Sequence, residues 1–320
     1  MTHPRLPLNL LDRGLKITHL RFIAALAQAG GMQRAANHLA IAQPAASRLA
    51  SELEQILGQK IHRRAGKGIE LTSAGRALAG RAKRILQEID DAEQEISELQ
   101  SGLAGTVRIG SVTGPAIEFI LPVLKDARII MPSVNITVEV TTSDILASRL
   151  AKGELDFILG RIPVDMQPEL FEEVPIASEP VSFIARSDHP LVKKEIVSVQ
   201  DLMTFDWVLP FEGTVLQQTI AQALRQRGHS LPERAYTTSS FLLTLALVRQ
   251  TNSIAPLATS VATEFAHIDG RSGSLGVIST DLTVSVETFS LLKSSHRQFS
   301  PATNAVYSAI LKLVKQFQAS

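Results

Sequence analysis

The 320-residue chain contains no cysteine, which excludes disulfides, thiolate metal sites and a Cys nucleophile. No apolar run approaches the roughly 18–20 residues that a membrane-crossing helix requires. Residues 1–14 hold Pro4 and Pro7 but no continuous apolar stretch, so they do not read as a secretory signal. There is no phosphate-cradling glycine loop, nucleophile elbow or His-rich zinc motif. Ser187-Asp188-His189 has the letters of a catalytic triad, but three consecutive residues cannot form the relay geometry. These absences point to a non-enzymatic chain that needs neither cofactor nor metal and works in the cytoplasm.

What is present is ordinary in amount and uneven in distribution. Hydrophobic residues make up 45% and charged residues 20%, the balance of a globular protein, and the length calls for two or three domains. The net charge of +1 hides an asymmetry. Residues 1–84 carry 14 Lys/Arg against 4 Asp/Glu, net +10; residues 85–100 carry six acids and no base; the remainder is near neutral at −3. Only the first quarter can be drawn to a polyanion.

Within that quarter, Met32–Leu39, a three-residue turn Ala40-Ile-Ala42, and Gln43–Leu53 read as helix, turn and helix at the spacing of a DNA-reading motif. Pro44 falls in the first turn of the second helix, where its missing N–H costs nothing. Ala46, Leu49, Leu53, Ile56 and Leu57 recur on one face. The opposite face carries Pro44, Ala45, Ser47, Arg48 and Ser51, which are small, polar or basic as a major-groove surface requires. Gln43 and Arg48 can bond base edges, and Pro44 and Ala45 can meet thymine methyls. An i,i+4 ion pair from Arg48 to Glu52 is the competing arrangement in free protein. Arg34, together with Arg63, Arg64 and Lys67 on two short strands around a basic glycine-containing loop, would meet phosphates.

From Ser73 to Gln100 the pattern becomes one long helix. Leu78, Ala82, Ile85, Ile89, Ala92, Ile96 and Leu99 recur at alternating spacings of four and three, a heptad seam that predicts a dimer contact. Ser101-Gly-Leu-Ala-Gly105 ends the helix and supplies a linker. After Gly105 strands and helices alternate, the signature of parallel βαβ units. The expected organisation is a winged helix-turn-helix over residues 15–72 and a dimerisation helix over 73–101. Two α/β lobes follow, residues 105–162 plus 287–320 and residues 163–286. A ligand would settle between them, at strand C-termini and helix N-termini. Ser111, Val112, Thr113, Thr142 and Ser143 would face it from the first lobe, and Phe211, Gly213, Thr214 and Ser240 from the second. That polar lining fits a small carboxylate or sugar-derived metabolite. A solute-binding or metabolic module of the same two lobes is the alternative, but it would leave residues 15–72 without a use.

Taken together, Arg34-Ala-Ala36, Leu39, Gln43-Pro-Ala45, Ser47-Arg48, Leu53-Glu54, Leu57-Gly58, Arg64, Gly68, Leu71-Thr72 and Ala74-Gly75 resemble a LysR-type transcriptional regulator. Gly153-Glu-Leu-Asp156, His189-Pro-Leu191 and Ile254-Ala-Pro-Leu257 continue the resemblance to the C-terminus. It implies an N-terminal winged helix-turn-helix on promoter DNA and a long dimerising helix. It further implies a periplasmic-binding-protein-like effector domain, with dimers pairing into homotetramers. The N-terminal arm and the Leu159-Gly-Arg161 strand end resemble a branch that regulates aromatic-acid catabolism or sugar uptake genes. Ala42 departs from the family's Ser and removes a helix N-cap worth roughly 1 kcal/mol. Gln33 stands where a Thr commonly touches phosphate, and His62 replaces the expected wing aromatic. Ser253 replaces a Gly before the Ile-Ala-Pro strand, leaving Asn252 to take up any left-handed turn.

Overall fold

The structure, a computed structural model, describes residues 9–65, 68–101, 104–268, 271–272 and 275–319. The chain forms two compact units, Met1–Gln100 and Ser101–Ser320.

In the first unit α1 (Ile17–Ala29), α2 (Met32–His38) and α3 (Gln43–Leu57) close around Phe22, Ile23, Leu26, Ala46, Leu53 and Ile61. Ala40 takes φ +53° in the turn between α2 and α3, and α3 starts at Ala42 with no side-chain cap. β1 (His62–Ala65) and β2 (Gly68–Leu71) pair antiparallel with Arg63 opposite Glu70. Helix α4 (Ser73–Ser101) is anchored by Thr72, whose Oγ1 donates to the Lys60 carbonyl at 2.8 Å and accepts the Gly75 N–H at 3.1 Å. At Gly75 the helix backbone lies directly on the Ile61 carbonyl, where any Cβ would collide.

The heptad seam of α4 divides here. Ala82 is fully buried in the core of its own unit and Leu78 packs half-buried beside it. Ala82 is therefore corrected from dimer contact to intramolecular packing, because its side chain is already covered within its own unit. Ile85, Ile89 and Ile96 stand 43%, 44% and 58% exposed, and Ala92 is also exposed. The Leu99 side chain lies outside the described residues.

The second unit is built on one long sheet. Its first lobe orders β6, β13, β5, β3 and β4 side by side: β3 (Gly105–Ser111), β4 (Val134–Val140) and β5 (Phe157–Gly160) run parallel, with β13 (Val284–Ser294) antiparallel to β5. Side chains alternate across it. Phe157 and Leu159 face α6 (Leu121–Ile130) and α12 (Pro301–Ala319), while Ile158 faces α7 (Ser143–Ala151). A short helix α5 (Thr113–Pro115) leads through a π-helical turn, Ala116–Ile120, into α6.

The second lobe gathers on the far half of β6 (Phe171–Arg186), flanked by β9 (Ala255–Ala258) and β12 (Leu275–Ile278). Phe183 and Ala185 point to a core with Trp207 on β7 (Trp207–Leu209) and Ile220 on α9 (Val215–Gln226). Ile184 points the other way, to Val248 on α10 (Phe241–Gln250) and Ala262 on α11 (Thr259–Ala266). β8 (Ala235–Thr237) pairs parallel to β7, and α8 (Val199–Leu202) and the β10–β11 hairpin (His267–Ile268, Arg271–Ser272) complete the unit.

The first lobe change falls within β6, not at Pro163 as the sequence boundary had it. Phe171 to Ala177 pair with Ser294 to Phe289 of β13 in the first-lobe sheet. One strand thus serves both lobes, and residues 163–177 belong with the first. At Asn252 no left-handed turn forms. Its side chain instead accepts from Arg186 and its carbonyl lies 3.2 Å from His189 Nε2.

Candidate nucleic-acid interface and effector cleft

The solvent face at the start of α3 holds Gln43, Pro44, Ala45 and Arg48, all exposed, with Ser47 half-buried between them. Gln43 Nε2 donates to Ser47 Oγ at 3.1 Å, which orders one polar pair on that face. Arg48 has no ion-pair or hydrogen-bond partner among the described residues. The competing pair to Glu52 does not form: the Glu52 carboxylate turns to His19 on α1, 3.2 Å away. The Arg34 guanidinium folds back over the Gly30–Gly31 turn at the start of α2. Arg63 pairs across the wing with Glu70 at 2.8 Å, so it is less available to phosphate than Arg64, which is exposed and unpaired among the described residues. Lys67 lies outside the described residues. His62 sits 3.3 Å from Glu54, which also holds Lys60 at 2.7 Å and accepts the Ile61 N–H.

In the second unit, the C-termini of β3, β4 and β5 come together. Thr141 N–H donates to the Ser111 carbonyl, Val112 N–H to the Leu159 carbonyl, and Arg161 N–H to Ser143 Oγ at 3.1 Å. The hydroxyls divide into used and free. Ser111, fully buried, donates to the Val112 carbonyl, and Ser143 accepts from Arg161. Thr113 and Thr142 are exposed and make no side-chain hydrogen bond among the described residues. In the second lobe Thr238 N–H donates to the Leu209 carbonyl, bringing the ends of β7 and β8 side by side. Thr214 Oγ1 donates to the Phe211 carbonyl, and Ser240 caps α10 by accepting the Leu243 N–H. Phe211 is 52% exposed beside Gly213, whose φ is +85°. Among the described residues no hydrogen bond or ion pair joins the first-lobe group to the second-lobe group.

Sequence reasoning missed the charged cluster where the chain crosses between lobes. Arg161, directly after β5, donates from Nη2 to Glu179 on β6 at 3.0 Å and from Nε to the Glu287 carbonyl on β13 at 2.8 Å. Their side chains are only 12% and 14% exposed. The Glu179 carboxylate presses against Gly114, leaving no room for a Cβ there. Burial, and then the charge of Glu179, push the Glu118 carboxyl above the usual carboxylate range. The sequence signal was Leu159-Gly-Arg161, a cation ending a fully buried strand.

Comparison with known proteins agrees with this geometry. Residues 17–76 match the family described as bacterial regulatory helix-turn-helix protein, lysR family, and residues 100–314 match the LysR substrate binding domain. The HTH-type transcriptional regulator GbpR of Rhizobium radiobacter is 40% identical over 248 residues, 77% of this chain and 82% of that protein. GbpR of Azospirillum brasilense is 32% identical over 97% of this chain and 90% of its own length. Among solved structures, full-length CbnR complexed with its target DNA superposes with TM-score 0.63 at 20% identity, covering 95% of this chain and 100% of that one. Full-length OxyR of Pseudomonas aeruginosa superposes with TM-score 0.62 at 22% identity, covering 94% and 95%. These matches, over a helix-turn-helix, a long amphipathic helix and a two-lobed α/β unit in this order, place the chain in the LysR family of DNA-binding transcriptional regulators.

Proposed function

We propose that this regulator reads promoter DNA through Gln43, Pro44, Ala45, Ser47 and Arg48, fixed in register by phosphate contacts from Arg34, Arg63, Arg64 and Lys67. The observation that carries the reading is the unpaired Arg48 on the exposed face of α3, in a segment whose first 84 residues sum to +10. Guanidinium to guanine O6/N7 is the commonest specific contact in the major groove. Protomers pair through the exposed stretch of α4 bearing Ile85, Ile89, Ala92 and Ile96, and dimers join into homotetramers. A small polar metabolite, a carboxylate or a sugar derivative, binds between the lobes against Thr113, Thr142 and the Phe211–Thr214 turn. Its preference for one lobe angle shifts the population of DNA-bound arrangements. The protein acts in the cytoplasm and catalyses no reaction.

The test begins with selection of genomic fragments by the purified full-length protein, followed by gel shifts on the selected operator and on random DNA. Arg48→Ala should lower operator preference about 5- to 150-fold, the equivalent of ~1–3 kcal/mol of base discrimination, and retain most random-DNA binding. Equal losses on both would remove Arg48 from base reading. For the cleft, a thermal-shift series of carboxylates and sugars identifies a stabilising compound. Thr113→Val should then keep operator binding and lose that stabilisation; an unchanged shift would remove Thr113 from the site.

A further inference from the structure

Helix α1 is not expected to take part in reading DNA, yet it carries a buried polar side chain aimed at the reading helix. His19 is 3% exposed. Its Nδ1 accepts the Lys16 N–H at 3.1 Å, within the first turn of α1. That bond puts the ring proton on Nε2, which lies 3.2 Å from Glu52 Oε2 and donates to it. The ring cannot swing without breaking the bond at the head of its own helix, so the donor is fixed in place.

Glu52 stands four residues after Arg48 on α3. Side chains at i and i+4 lie one turn apart on the same face, and opposite charges there pair unless something else holds one of them. Here the carboxylate is held on the α1 side and Arg48 has no partner among the described residues.

We propose that His19 is a specificity-determining residue of the DNA interface, a positioning group that keeps the Glu52 carboxylate off Arg48 so that the guanidinium stays available to base edges. The proposal rests on the reading of Arg48 as a base-contacting residue. Without His19, Glu52 becomes a competitor of the operator for the same guanidinium. A surface i,i+4 pair of ordinary strength then weakens operator binding about twofold per half-site, about fourfold for a dimer on two half-sites. Random DNA, held by phosphate contacts, is nearly unaffected.

Two near-isosteres separate positioning from packing. In His19→Asn the amide oxygen replaces Nδ1 and still accepts the Lys16 N–H, but no donor reaches Glu52. In His19→Gln the amide nitrogen takes the place of Nε2 and keeps that donor while losing the bond to Lys16. Competition gel shifts with the full-length protein should show the operator-to-random ratio falling about fourfold in His19→Asn and staying within twofold of wild type in His19→Gln. The double variant His19→Asn, Glu52→Gln should recover the ratio, because the competitor is gone. A ratio unchanged in His19→Asn, or a loss that Glu52→Gln does not restore, overturns the proposal. Arg48→Ala run alongside keeps the two ideas apart: if it leaves operator preference intact, the base-reading assignment fails on its own account.

Discussion

Replacing Arg161 with Gln tests whether the lobe crossing is held by charge. Arg161 ties β5 to both crossing strands, through the Glu179 carboxylate at 3.0 Å and the Glu287 carbonyl at 2.8 Å. The variant leaves Glu179 nearly buried, without its guanidinium, and next to Glu118, whose carboxyl burial and the Glu179 charge hold above the usual carboxylate range. Removing one member of a buried pair costs about 3–5 kcal/mol. Because both side chains retain a little solvent contact, the lower end applies, about 3 kcal/mol at neutral pH. For a unit of this size about 1 kcal/mol moves the midpoint by ~2–4 °C, so the transition of the second unit should fall by about 6–12 °C.

The loss should also depend on pH in a stated direction. A carboxyl whose folded pKa is raised above its unfolded value stabilises the fold at low pH, and that contribution disappears as pH rises through the folded pKa. Glu118 is in this class, and in the variant its protonation relieves repulsion from the unpaired Glu179 charge, so the deficit should be largest near pH 8 and shrink toward pH 5. Calorimetry of full-length wild type and variant at the two pH values measures it, and adding Glu179→Gln should restore most of the deficit at pH 8. A fall of less than about 2 °C at pH 8, or an equal fall at both pH values, would refute the idea that the ion pair holds the crossing.

Three further outcomes follow from other parts of the molecule. Gly75→Ala drives a Cβ into the Ile61 carbonyl, so the DNA-binding unit should lose about 1–3 kcal/mol and operator binding should weaken, while the calorimetric transition of the second unit stays put. Ala40 holds φ +53°, a region costing an L-residue about 1 kcal/mol that glycine avoids; Ala40→Gly should raise the melting point of the first unit. His189 is fully buried, and burial lowers its pKa despite the bond to the Asn252 carbonyl. With the folded pKa below the unfolded value of about 6.5, its contribution is complete above pH 6.5 and lost as pH falls, at up to about 1.4 kcal/mol per pH unit. Wild type should therefore lose more stability than His189→Gln between pH 7 and pH 5 in denaturant titrations, and parallel curves would count against a neutral buried imidazole.

Much of the fold was legible because its signals are local. The periodicities of α3 and α4, the Gly and Pro punctuation, and the buried β5 run each declare themselves within a dozen residues. The solvent face of α3 could be written down from spacing alone, since which side of α3 is apolar fixes which side is not. What escaped was non-local. β6 contains Pro175 and Pro180, residues that demote a strand in sequence reading. Both are tolerated here, facing Ser290 and Ser285 across β13 next to irregular register, so one strand shared by two lobes read as the start of a new lobe.

Charged side chains show the same limit more sharply. Arg48, Glu52 and Arg161 were all visible as letters, and local spacing offered Glu52 as the competing partner of Arg48. The partner that Glu52 takes is 33 residues earlier on another helix, and the partner of Arg161 is 18 residues later on a crossing strand. In each case a group fixed on a second element decides: the buried His19 ring holds the Glu52 carboxylate, itself half exposed, and Arg161 at the end of β5 and Glu179 on β6 shelter each other. The consequence for function is the reverse of what pairing by spacing implies. On the proposed reading, an Arg48 bound to Glu52 would have to be released before it could read a base, whereas an Arg48 without that partner would meet the groove already free.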